Sequence, residues 1–74
     1  MEYGKLIYDN DSNRLDVLLD NGSLLGGFHC GDRLDILRDN EWISTRVEYD
    51  KDWYLFGLYP SGQIPVGLNV RVCM

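Results

Sequence analysis

The stretch from Gly26 to Leu37 gathers the side chains best suited to chemistry: the single histidine, His29, beside Cys30, with Asp32 and Asp35 following. A thiol next to an imidazole and carboxylates is the inventory of nucleophilic catalysis, and equally of a metal site. The spacing argues against both. Neighbouring residues of an extended chain point to opposite sides, so His29 is badly placed to take the proton of Cys30. Zinc asks for about four nitrogen or sulfur ligands, usually in closely spaced pairs, and the chain offers His29, Cys30 and Cys73 with no C-x-x-C. The stretch reads instead as a sharp diverging turn leading into a strand. Gly26, Gly27 and Gly31 supply the unusual backbone angles. Cys30 is expected to pack as a small apolar residue, and the His29 imidazole to bond a backbone group across the turn. No catalytic residue, metal ligand or cofactor is assigned.

The remaining carboxylates give no catalytic pair. Asp9, Asp11, Asp20, Asp39, Glu41, Asp50 and Asp52 lie mostly where turns are expected, and aspartate favours turns because it hydrogen-bonds nearby backbone. The segment 9–13, DNDSN, superficially resembles a calcium loop but lacks the glycine and distal glutamate of an EF-hand. The aromatic residues say more. Trp42 alternates away from Ile43 and Val47, so if those two build the core Trp42 is partly exposed. Trp53 and Tyr54 are neighbours, so one of them faces outward. A wet face carrying Trp, Tyr and Arg has the composition of a binding hot spot. The expected protein-binding residues are therefore Trp42, Arg46, Trp53 and Tyr54, flanked by the acidic Glu41 and Asp52.

The elements that must position these residues are strands. In VGLNVRVC, Val66, Leu68, Val70 and Val72 point one way and Gly67, Asn69, Arg71 and Cys73 the other, the alternation of a half-buried strand. In EWISTRVEY, Ile43, Thr45, Val47 and Tyr49 share a face opposite Trp42, Ser44, Arg46 and Glu48. DWYLFGLY reads as an aromatic strand with a bulge or kink at Gly57. RLDILR places Leu34 and Ile36 inward, and YGKLIYD and RLDVLLD complete the N-terminal part. Turn signals separate them at 9–13, 20–23, 38–41, 50–52 and 60–63, with Asn21-Gly22 a strong hairpin signal. Six or seven short strands at this spacing predict a small all-β barrel or sandwich, and a closed sheet leaves no edge to aggregate.

The totals narrow the function. Seventy-four residues make one small domain, 1–74, and such a chain buries only about 60% of its unfolded surface, which leaves little room for a deep pocket. Acids outnumber bases twelve to seven for a net charge of −5, and the bases are scattered singly. Direct binding to nucleic acid or to an anionic membrane is not expected, whereas a basic protein partner is electrostatically favoured. No apolar run reaches the roughly 20 residues of a membrane span, and no signal peptide is visible. Two cysteines without a disulfide framework suit a cytoplasmic protein. The totals also leave a small homo-oligomer open.

Two resemblances enter at this point. Gly31-Asp32, Leu34, Ile36-Leu37, Asp39-Asn40-Glu41, Trp42, Arg46, Gly62-Gln63-Ile64-Pro65 and Val70 follow the pattern of Src-homology-3 (SH3) domains over residues 31–72. This implies an SH3-like β-barrel of about six or seven short antiparallel strands. The peptide-binding tyrosine of that family is missing after Pro65, and an added aromatic strand precedes the proline, so the resemblance implies the fold and not the proline-rich ligand. The whole chain also resembles a small uncharacterised domain family of Firmicutes and their phages and mobile elements. YGKLIYD, DNG at 20–22, G-x-H-C-G-D at 27–32, EWI-x-TR at 41–46, DWYL and GL-x-VR carry that likeness. It implies a cytoplasmic bacterial or phage protein and brings no activity.

The expectation that follows is a non-enzymatic protein-binding module, a regulator or inhibitor acting through its exposed aromatic face. The alternative is an acidic mimic of nucleic acid that occupies the basic groove of a nuclease or DNA-binding effector, as anti-CRISPR proteins do. The first needs exposed aromatic rings, the second a contiguous ridge of carboxylates.

Overall fold

The computed structural model describes residues 1–73. Six strands form one antiparallel sheet: β1 (Glu2–Asp9), β2 (Arg14–Leu19), β3 (Arg33–Arg38), β4 (Glu41–Asp50), β5 (Asp52–Leu55) and β6 (Asn69–Val72), in the spatial order β2-β1-β6-β3-β4-β5. The described residues contain no helix, and the all-β expectation stands. Turns fall where the signals predict them. Asp39 and Asn40 both take left-handed angles, φ 52° and 65°, in the two-residue connection between β3 and β4, the pattern of a type I′ hairpin turn. Asn21-Gly22 also turns the chain, but the return is a single bridge, Leu18 to Leu24, rather than a strand.

One face of every strand feeds a single core. Leu6, Leu15, Val17, Leu19, Leu34, Ile36, Val47, Leu55, Val70 and Val72 are buried, joined by Phe28 from the loop and Trp53 from β5. The two end strands are brought together at one place. The Trp53 indole N–H donates to the Asn13 carbonyl in the β1–β2 turn at 2.8 Å, and the Arg14 guanidinium lies 5.8 Å from the Trp53 ring centre.

Neither end strand is left bare. Along β2, the amides of Leu19, Leu25 and Phe28 exchange bonds with the strand through Ser23, Val17 and Leu15 carbonyls. The Asp16 carboxylate, buried under this loop, accepts from the Val17 and Gly26 amides at 2.7 and 3.1 Å. Along β5, Leu55 N–H reaches the Tyr59 carbonyl, Gly62 N–H reaches that of Trp53, and Ser61 Oγ donates to the Asp50 carbonyl at 2.7 Å. Irregular chain thus occupies the hydrogen-bonding positions that an open edge would offer to another strand.

Four expectations from the sequence are corrected. Val66 is 69% exposed rather than inward, and Leu68 is half-buried. The reason is a β-bulge. Gly67, at φ +92°, donates to the Leu6 carbonyl, while the Leu6 amide reaches the carbonyl of the next residue, Leu68. Two residues therefore oppose one, and the extra residue reverses the alternation upstream of it. The strand expected from Val66 accordingly begins at Asn69. Tyr49, expected on the inner face of β4 with Thr45 and Val47, is 54% exposed: its register partner Trp53 fills the core position, and the Tyr49 ring meets it edge-on at 5.0 Å between centres. The aromatic strand ends at Leu55, and Gly57 sits in a turn after it rather than within a strand. Cys30 is exposed, not packed; Phe28, 2% exposed, takes the inward place in that stretch.

Candidate functional site

The outer face of the sheet is built by register. Tyr3 on β1 lies opposite Arg71 on β6, Arg71 opposite Asp35 on β3, and Asp35 opposite Ser44 on β4. In the next row Lys5 lies opposite Asn69, and Leu37 opposite Trp42. Side chains on these two rows point away from the core because their neighbours Gly4, Leu6, Ile36, Val70 and Val72 point into it.

At the centre of this face the half-buried Trp42 is held from two sides. The Arg71 guanidinium stacks 4.5 Å from its ring centre, and Tyr3 meets it edge-on at 5.8 Å between ring centres. Arg71 is itself pinned, its Nε donating to Asp35 Oδ2 at 2.8 Å. That hydrogen bond, with a smaller contribution from Tyr3, raises the Arg71 pKa above its ordinary value, against a partial opposing desolvation. The guanidinium is thus a fixed positive charge over the indole at any working pH. Beside the rings lies a shallow recess of about 220 Å³, lined by Tyr3, Asp20, Leu37, Trp42 and Asn69 and floored by Gly4 and Val70.

The residues expected to form one binding face are divided. Trp42 belongs to the cluster just described, and Glu41 is exposed beside it at the start of β4. Arg46 lies four residues along the same outer face, roughly 13 Å away at strand spacing. It makes a separate group, bonded through Nε to Glu48 Oε2 at 2.7 Å and stacked 3.7 Å from the Phe56 ring centre. Tyr54, half-buried, is the register partner of Glu48 in that second group. Trp53 is corrected outright: it is 8% exposed and belongs to the core, so it is the member of the Trp53-Tyr54 pair that faces inward. Asp52 is exposed, its Oδ1 accepting from the Trp53 amide at 2.8 Å. It borders a different groove of about 290 Å³, walled by Leu6, Tyr8, Leu15, Trp53, Ile64 and Val66.

Sequence reasoning misses Tyr3, Asp35 and Arg71. Their alternation is legible, but nothing local says that β1, β6, β3 and β4 lie side by side in that order.

The His29–Cys30 stretch forms a turn, as expected, with Gly26, Gly27 and Gly31 all at positive φ. Its bonds differ from those expected. The His29 amide donates to Asp32 Oδ2 at 2.8 Å and the Asp32 amide to the His29 carbonyl at 3.1 Å. The imidazole is largely exposed, its Nδ1 3.7 Å from Asp32 Oδ2. Among the described residues no three His, Cys, Asp or Glu side chains are grouped to hold a metal ion. Because both thiols are exposed, a thiol reagent should label Cys30 and Cys73 in the folded protein at similar rates, and Cys30→Ser should leave the melting temperature unchanged. A Cys30 that labels only on unfolding would contradict this placement.

The model of a family described as a domain of unknown function, DUF5348, matches residues 4–72. Among solved structures the chain is similar to a crystal structure of a protein from Ruminococcus gnavus. The two are 40% identical with a TM-score of 0.83, the match covering 95% of this chain and 99% of the other. Among curated proteins none matches.

Proposed function

The chain belongs to the DUF5348 family, whose description carries no activity, and from that premise we propose that it is a non-enzymatic protein-binding module. The observation that carries this reading is the Tyr3–Trp42–Arg71 cluster. Two aromatic rings and an arginine, the residue types over-represented at binding hot spots, stand on an outer sheet face in a preset arrangement. Asp35 holds the guanidinium, so little side-chain freedom is left to lose on binding. This is a stronger support than the group expected from sequence, because Trp53 is buried and Arg46 stands in a separate group with Glu48 and Phe56, away from Trp42.

We read the curled sheet as SH3-like. The Gly31-Asp32 turn leads into β3, Trp42 opens β4, and Gly62 to Pro65 precede the last strand, the positions by which the sequence resembles that family. Trp42 lines one recess and the neighbours of Pro65, Ile64 and Val66, another, so these two matching positions do not share a groove. That supports a ligand other than a proline-rich peptide. A cytoplasmic regulator of a bacterium or its mobile elements fits the free cysteines and the acidic charge. The nucleic-acid-mimic alternative has less support. Asp16 is buried, Asp35 is paired with Arg71, and Glu48 with Arg46, which removes three carboxylates from any ridge.

The test is capture of partners from host extract by immobilised protein. Trp42→Ala should lower specific capture about tenfold or more, the effect of losing a hot-spot tryptophan. Phe56→Ala, in the second cluster, should capture as the parent does. Undiminished capture by a folded Trp42→Ala protein would sink the reading.

A further inference from the structure

The recess beside Trp42 has a charge that nothing in the fold answers. Asp20 follows β2 and lies next to Tyr3, its amide donating to the Tyr3 carbonyl at 3.0 Å. Asp20 is one of the residues lining the recess, and among the described residues no ion pair or side-chain hydrogen bond engages its carboxylate. The two cations nearest the recess each have a partner of their own, neutral for Lys5 and charged for Arg71. Lys5 Nζ donates to Asn69 Oδ1, and Arg71 is held by Asp35 and lies on Trp42. The recess is therefore lined by two aromatic residues and Leu37, and Asp20 is the one carboxylate residue among its lining.

Resting on the binding-module reading above, we propose that this recess takes the basic side chain, arginine or lysine, of a protein partner. Asp20 supplies the counter-charge, and Trp42 and Tyr3 supply the walls. The chemistry is selective. A cation gains both from the carboxylate and from the aromatic faces. An acidic side chain would be repelled by Asp20, and an apolar one would strip water from that carboxylate without replacing its bonds. The net charge of −5 favours encounter with a basic surface.

The test is an NMR titration of the intact protein with capped tripeptides Gly-Arg-Gly, Gly-Lys-Gly, Gly-Glu-Gly and Gly-Leu-Gly. The Trp42 indole N–H is the reporter. The buried Trp53 indole, bonded to Asn13, is the internal reference. The basic tripeptides should move the Trp42 signal saturably and leave Trp53 in place, while the acidic and apolar ones move neither. Asp20→Asn removes only the charge, should melt with the parent, and should weaken the basic tripeptides about fivefold or more, the factor for losing one counter-charge. Equal binding by Asp20→Asn, equal binding of Gly-Glu-Gly or Gly-Leu-Gly, or no response to either basic tripeptide overturns the inference. If one of these occurs while Trp42→Ala still loses partner capture, the binding-module reading survives and the basic-ligand assignment falls. If Trp42→Ala captures normally, both fall.

Discussion

Val70→Asp will leave the chain unfolded at room temperature, while Val66→Asp, in the same apolar run, will fold and melt like the parent. Val70 sits in the middle strand of the sheet, opposite Gly4 of β1 and Ile36 of β3, and is 1% exposed. A carboxylate there has no partner, and an uncompensated buried charge costs several kcal/mol. At 0.05–0.15 kcal/mol per residue a chain of this length has roughly 4–11 kcal/mol in total, so the substitution consumes most or all of it. Val66 is 69% exposed, and a charge there stays in water. Arg71→Ala should fall between the two, since it frees Asp35 and uncovers one side of Trp42. Far-UV circular dichroism on heating decides the order. A folded Val70→Asp, or a Val66→Asp that is equally damaged, would mean that the bulge at Gly67 is misplaced.

The second large effect is expected at Gly4, where even one methyl group should destabilise. A Cβ on Gly4 would run into the Leu18 carbonyl oxygen and stand 2.7 Å from Val17 Cγ1 and 2.9 Å from Leu19 Cα. Two of these three atoms are backbone of β2, which cannot swing aside like the tip of a side chain. The φ of Gly4 is not left-handed, so in open space Gly4→Ala would stabilise by about 0.4–1 kcal/mol through the unfolded chain. The clash reverses the sign. Overpacking of this kind costs about 1–3 kcal/mol, and β1 is the strand that joins β2 to β6. A urea titration should show the midpoint falling. A midpoint that holds or rises would show that β1 and β2 are farther apart than this register places them.

The two substitutions mark where local pattern stops informing. Alternation identifies Val70 as inward correctly and Val66 incorrectly, because a single extra residue at Gly67 changes the parity and leaves no mark but a glycine. Gly4 reads as an ordinary weak position in a strand, and its constraint comes from the close approach of the paired strand β2. The aromatic neighbours Trp53 and Tyr54 pose the same difficulty: alternation requires that they face opposite ways and is silent on which one is inside. The structure chooses Trp53 because its indole N–H finds the Asn13 carbonyl across the closing point of the sheet. In the His29–Cys30 stretch, the glycines announce the turn, but the inward residue is Phe28, whose larger apolar surface contributes more on burial than a thiol does.

The sequence by itself determined the all-β class, the positions of most turns, and the inner face of β3, with Thr45 and Val47 on β4. These depend on period-two alternation and turn chemistry, which act over a few residues. Tertiary structure alone decided the order β2-β1-β6-β3-β4-β5 and the cover over both end strands. It also decided the meeting of Tyr3, Arg71 and Asp35 around Trp42 with Asp20 beside them. Those four partners come from β1, β6, β3 and the turn after β2, and Trp42 from β4. Their contacts are long in sequence and set by strand register. Register is a property of two strands and the core between them, and no single segment of the chain contains it.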